Sequence, residues 1–208
     1  MNWLDYQNRY WKKFLYLESR VIETEHYVAF AYENLKTFSN VYEELLISIC
    51  SELESVFIEW TGKMNDNANI NTYVKEIIFR KEDDFDKEIS VFLSDIKINP
   101  FSELKLLLCE LSEYKRIDTK TYLNWWYNYN KIKHDKSNYY KVANLENVLD
   151  SLAALFIVEN LRIKELAKYD SNADRDCPIA PARLLSGKFN TKHVALGNDL
   201  HAELNTDY

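Results

Sequence analysis

Trp125-Trp126-Tyr127-Asn128-Tyr129-Asn130-Lys131-Ile132-Lys133-His134-Asp135-Lys136 is the segment on which the fold assignment rests, together with the run that opens at Asn144. The first contains no glycine or proline, and Tyr122, Trp125, Trp126 and Tyr129 recur at helical spacing. Asp118 or Thr119 supplies a side-chain acceptor ahead of it, so a helix is expected from there to about residue 135. Lys136-Ser137-Asn138 reads as the break. Asn144 then caps a second helix, whose core stripe is Leu145, Leu149, Leu152 and Phe156. Leu152 to Val158 is almost wholly apolar, which predicts the most buried helix of the chain.

Outward from this pair, helix breakers are scarce. The chain has three glycines and three prolines, and two of each lie beyond residue 176, so long helices are favoured over a turn-rich β fold. Residues 5–37 read as one long helix with two apolar rows: Phe14, Val21, Val28, Leu35 and Leu15, Ile22, Ala29. Asn40 and Glu43 fit a capping box for a helix with the stripe Val41, Leu45, Ile49, Leu53, Val56 and Trp60, ending near Gly62. The asparagine-rich stretch 62–72 predicts a loop. Tyr73, Ile77 and Ile78 suggest a short helix. Phe85, Ile89, Phe92 and Ile96 keep helical spacing, while Ile89, Val91 and Leu93 equally keep strand alternation; the preferred reading is helix to about Leu93. Pro100 interrupts what runs there, and Leu104 to Leu111 suits a buried helix or a strand.

Composition sets further bounds. Hydrophobic residues form 47% of the 208, enough for a sizeable core in one large domain. A net charge of −7 disfavours broad non-specific attraction to nucleic acid but leaves room for a local basic site. Cys50, Cys109 and Cys177 are widely spaced and odd in number, as expected of reduced thiols in the cytoplasm. No metal site is expected: His26, His193 and His201 share no ligand spacing, and Asp83, Asp84 and Asp86 lack the glycine and terminal glutamate of a calcium loop. No cofactor is expected either, because there is no glycine-rich phosphate loop, nucleophile elbow or dinucleotide fingerprint. The N-terminus lacks the apolar run of a signal peptide, and no stretch of about 18 uncharged apolar residues predicts a membrane span.

Against this acidic background, residues 131–141 concentrate four lysines, one histidine and one aspartate. Asn130 and His134 stand four apart and share a helix face, flanked by Tyr127 and Lys131. Cations near a helix C-terminus also complement the macrodipole, so part of the cluster has a purely structural reason.

The pattern Trp-Tyr-Asn-x-Asn-Lys-Ile-Lys-His-Asp, followed by the Ala-Asn-Leu-x-Asn-Val-Leu helix, resembles the HEPN superfamily over roughly residues 119–166. The resemblance implies a helical bundle, commonly dimeric, in a family with many metal-independent endoribonucleases of toxin or defence systems. It maps the motif histidine onto His134 and the polar motif residue onto Asn130; the arginine position holds Tyr129. In that reading His134 is the base or acid acting on the RNA 2′-hydroxyl chemistry, because imidazole titrates near neutrality. Asn130 orients the phosphate or hydroxyl, and Lys131 and Lys133 stabilise developing charge, although lysine lacks the bidentate fork of arginine. Tyr127, Lys136, Tyr139 and Tyr140 would bind RNA, the tyrosines by stacking on bases.

The expected architecture is therefore all-α: a HEPN-like bundle of about five or six helices over residues 1–168, with residues 169–208 an irregular C-terminal tail packed on the bundle or partly mobile. The expected function is RNA binding or cleavage by a cytoplasmic homodimer of a toxin or antiphage-type system, with RNA and an antitoxin or other protein as partners and no membrane. The alternative is a non-catalytic dimeric interaction module, in which Asn130 and His134 only fix a helix junction. Binding of a nucleotide or another phosphate ligand follows from the same basic helix end.

Overall fold

The apolar run Leu152–Val158 lies at the centre of a helix, α8, spanning Leu145–Ala167, and every residue from Ser151 to Leu161 is buried. Asn144 caps it as its sequence predicts, accepting from the Asn147 amide at 3.0 Å. In this computed structural model, residues 1–63, 69–78, 85, 87–92, 94–104, 117–170 and 180–187 are described. The expectations for Asp83, Asp84, Asp86, Leu93, Leu106 to Leu111, Cys109, Cys177, His193 and His201 lie outside them. The other α-helices whose bounds fall within the described residues are α1 (Trp3–Tyr6), α2 (Lys12–Glu23), α3 (Asn40–Thr61), α4 (Ile70–Tyr73), α5 (Thr119–Tyr122), α6 (Asn124–His134) and α7 (Lys136–Tyr139). π turns at Gln7–Trp11 and Val74–Ile78 link α1 to α2 and extend α4.

The long first helix expected over 5–37 is corrected to one that ends at Glu23. The Thr24 amide bonds the carbonyls of both Val21 and Ile22, and its hydroxyl donates to Val21 O at 2.7 Å, tightening the chain into a 3₁₀ turn. Beyond this turn the chain forms a strap across the start of α8. The carbonyls of Leu35 and Thr37 accept the amides of Glu146 and Leu145 at 2.9 and 3.0 Å. These are first-turn donors that α8 cannot satisfy internally. Continuing the first helix would have kept those carbonyls for itself.

α3 is capped one residue earlier than its sequence suggests: the Ser39 hydroxyl accepts from the Tyr42 amide at 3.1 Å. Its inner face is Tyr42, Leu45, Leu46, Ile49, Cys50, Leu53, Val56 and Phe57. Val41, expected in the core stripe, is 45% exposed because the first turn overhangs the core. The helix ends at Gly62, whose φ of +66° favours glycine; no atom stands within 4 Å of where a Cβ would sit, so only backbone strain opposes a side chain there. Among the described elements, α3 and α8 make the most extensive contact, and α2 packs against both. Of the loop expected over 62–72, residues 70–72 are helical instead, because Asn69 caps α4 by accepting from the Asn71 amide at 3.0 Å. Tyr73, Ile77 and Ile78 are helical and buried, as their spacing implies.

The all-α expectation needs correcting: the chain is mainly helical, with a small antiparallel sheet. Ile89–Val91 (β1) is the central strand, in place of the helix expected there. Lys97–Ile98 (β2) pairs one edge, with Ile89 opposite Ile98. Leu185–Gly187 (β3) pairs the other, with Val91 opposite Leu185. Ile89 and Val91 are buried with Ser90 between them, so the period of two governs. The deciding pairing comes from a strand almost a hundred residues downstream, which local periodicity cannot register. That strand is held from the helical side as well. The buried Glu18 carboxylate accepts the amides of Arg183, Leu184 and Leu185 at 2.9, 2.8 and 3.3 Å, and Trp11 Nε1 donates to Ala180 O at 2.7 Å. No described helix is long and apolar enough to cross a membrane.

Candidate functional site

The basic segment sits where α6 meets the start of α8. The single helix expected from Asp118 or Thr119 to about residue 135 is corrected to two, α5 and α6, separated at Leu123, whose backbone leaves the helical region (φ −143°, ψ 62°). Asp118 caps α5 as expected, accepting from the Lys120 amide at 3.1 Å. α6 buries Trp125, Trp126, Asn128, Tyr129 and Ile132. Trp125 Nε1 donates to Pro100 O at 3.0 Å, which satisfies the one polar atom of a buried ring. The break after α6 falls at Asp135 (φ −150°, ψ 65°), not at 136–138; Lys136–Tyr139 form α7 instead.

An amide relay fixes α6 against α8. Asn128 Nδ2 donates to Asn147 Oδ1 at 3.2 Å, and Asn147 Nδ2 donates to Val142 O at 2.8 Å. Both asparagines stand in the pattern that carries the resemblance, but nothing in the sequence marks them as partners of each other.

His134, on the last turn of α6, is exposed, and among the described residues its imidazole has no hydrogen bond or ion pair. Lys131 lies between two phenol rings, its Nζ 5.2 Å from the Tyr127 centroid and 5.1 Å from that of Tyr139. Attraction to Tyr127 and then Tyr139 raises its pKa, so it stays charged through neutrality. Lys133 donates to the Tyr129 hydroxyl at 3.3 Å, an interaction that raises its pKa too. Tyr129 is only 1% exposed, and its phenol offers no permanent charge at that position.

Other members of the expected site are drawn elsewhere. Asn130 donates from Nδ2 to Trp126 O at 2.9 Å within its own helix, leaving its carbonyl oxygen for an external donor. Lys136 pairs with Glu43 of α3 at 2.9 Å. Tyr140 meets Phe38 edge-on at 5.5 Å, with Lys141 Nζ 5.9 Å from its ring. The fold thus gathers Tyr127, Lys131 and Tyr139 into one cation–aromatic cluster on the helix end that bears His134. Lys136 and Tyr140 are turned to the strap and α3.

A buried carboxyl is a second feature with no advance signal in the sequence. Glu159, within the buried length of α8, is 0% exposed, and neither carboxylate oxygen makes an aligned hydrogen bond among the described residues. Burial drives its pKa well up, and repulsion from Glu52 and Glu59 adds to this; the nearby Tyr6 hydroxyl opposes it. Glu59 is itself held by Arg162, whose Nε and Nη2 reach its two oxygens at 2.8 and 2.9 Å. Among the described residues, no group of three or more histidine, cysteine, aspartate or glutamate side chains is placed to hold a metal ion. Compared with protein-family models, curated proteins and solved structures, the chain finds no match in any of the three.

Proposed function

We propose that the chain is a HEPN-like RNA-binding module whose contact surface is the C-terminal turn of α6. The observation that carries this reading is the exposed His134, without a partner among the described residues, on the helix end where Lys131 stands between Tyr127 and Tyr139. The ammonium groups attract phosphate, and an imidazole free to donate or accept completes a polar contact. The Asn130 carbonyl is available to a 2′-hydroxyl. As a cytoplasmic homodimer of a toxin or antiphage-type system the chain would bring two His134 side chains together; that part rests on the resemblance of residues 119–166 alone. Cleavage demands more than binding: a second proton carrier, and cations on the phosphorane. Among the described residues one chain offers one imidazole at this end, and the buried Tyr129 supplies no fixed charge.

The alternative, a non-catalytic interaction module, is favoured by one specific contact. The Asn130 amide gives one of its two N–H donors to Trp126 O, as in a residue that shapes a helix end. Titration of fluorescent single-stranded RNA, with the same RNA followed for cleavage in EDTA, separates the readings. We expect binding that weakens with salt, and a salt slope reduced by about one for each phosphate contact removed by Lys131→Ala or Lys133→Ala. Cleavage that survives EDTA and disappears in His134→Ala would add a metal-independent ribonuclease activity. Absence of RNA binding by the folded parent would leave the interaction module.

A further inference from the structure

A groove of about 320 Å³ opens between the end of α2, the strap and the first turn of α3. Arg20, Glu23, Tyr27, Val28, Val41 and Tyr42 line it. Tyr27 is 90% exposed, and Val41 and Phe38 of the adjoining turn are 45% and 44% exposed. The aromatic and the β-branched side chain gain little from folding in that state. Tyr27 stands just beyond the turn held by Thr24 at the end of α2, and Val41 stands in the first turn of α3.

The charge around the groove has one dominant sign. The Glu23 and Glu44 side chains are 66% and 64% exposed, and the exposed Glu25 follows Thr24 in the same turn. Arg20, the cation in the lining, already meets Glu23 at 3.5 Å and Glu44 at 3.7 Å, and donates to Tyr16 at 3.3 Å. A phosphate chain or an anionic membrane would face three carboxylates here. A segment with an apolar anchor and basic flanks would bury the anchor against Tyr27, Val28 and Val41 and place its cations beside those carboxylates.

We propose that this groove docks a segment of a partner protein that carries an aromatic or aliphatic anchor flanked by lysine or arginine. The inference does not rest on RNA binding at the end of α6, because Lys131 and His134 do not line this groove.

The test is selection from a naive displayed-peptide library on the full chain, followed by affinity measurement on Tyr27→Ala and Val41→Arg proteins. Both positions are exposed enough to vary without loss of fold, which thermal melting checks. The expected result is enrichment of peptides with an apolar anchor and basic flanks, bound at least about tenfold more weakly by either variant. The Val41→Arg protein should lose them through both bulk and repulsion. Three results would overturn the proposal: no enrichment above the Val41→Arg background, enrichment of acidic or wholly polar peptides, or affinity unchanged in Tyr27→Ala. Perturbation of Tyr27 signals by oligouridylate in place of peptide would overturn it in favour of nucleic acid.

Discussion

Asp150 illustrates how a single carboxyl sets a pH response. It lies half-buried on α8 one turn after Glu146, and its pKa is pushed from 3.8 to about 7, by burial first and by Glu146 second, with Lys36 opposing. The folded chain therefore holds a proton that the unfolded chain releases. Its contribution to stability is complete below about pH 4 and is lost as the pH rises towards 7. Asp150→Asn should remove this slope, which for one proton is at most about 1.4 kcal/mol per pH unit. Urea unfolding across that range reads the difference; parallel slopes for parent and variant would refute it. Glu159 acts with the same sign, since burial raises its pKa as well. Neither role is legible in the sequence. Asp150 and Glu159 stand in an amphipathic pattern like any helical carboxylates, and nothing local tells that the strap or the first helix covers them. His134 and Lys131 are legible, because charge concentrated at a helix end keeps to the surface whatever the rest of the chain does.

At the level of elements, the junction between α6 and α8 depends on Asn128. Its amide is the donor to Asn147 Oδ1, in a place where both side chains are buried. Asn128→Ala should destabilise the chain by about 1–3 kcal/mol, since the Asn147 carbonyl is left without that donor. Hydrogen exchange should rise in α6 more than in the middle of α3; uniform change, or none, would show that the relay is not what seats the helix. The ends of elements are more legible than their continuity. Asp118, Asn144 and Gly62 mark helix ends by chemistry that acts within a turn, and all three stand where expected. Periodicity overstates the first helix because Val28 and Leu35 continue an apolar row, yet the unsatisfied amides of α8 draw the carbonyls of Leu35 and Thr37 away from helical bonding.

Across the whole molecule, the C-terminal strand is tied to the helical body by one buried carboxylate. Glu18 binds three successive amides ahead of and within β3, and burial raises its pKa although those bonds favour its charged form. Glu18→Ala should release β3 from β1, seen as faster exchange at the Phe92 amide, which donates to Leu184 O at 2.7 Å, with α8 still protected. Retained protection at Phe92 would mean that the strand is held by pairing alone. Long helices, their caps and the exposed basic helix end all arise from interactions between residues within about one turn of each other, which the order of amino acids states directly. The small sheet, the strap over α8, the isolation of Glu159 and the acidic groove beside Tyr27 depend on segments far apart in the chain. Their energies come from which backbone donors and apolar faces remain unsatisfied once the helices have packed, and only the assembled fold specifies that.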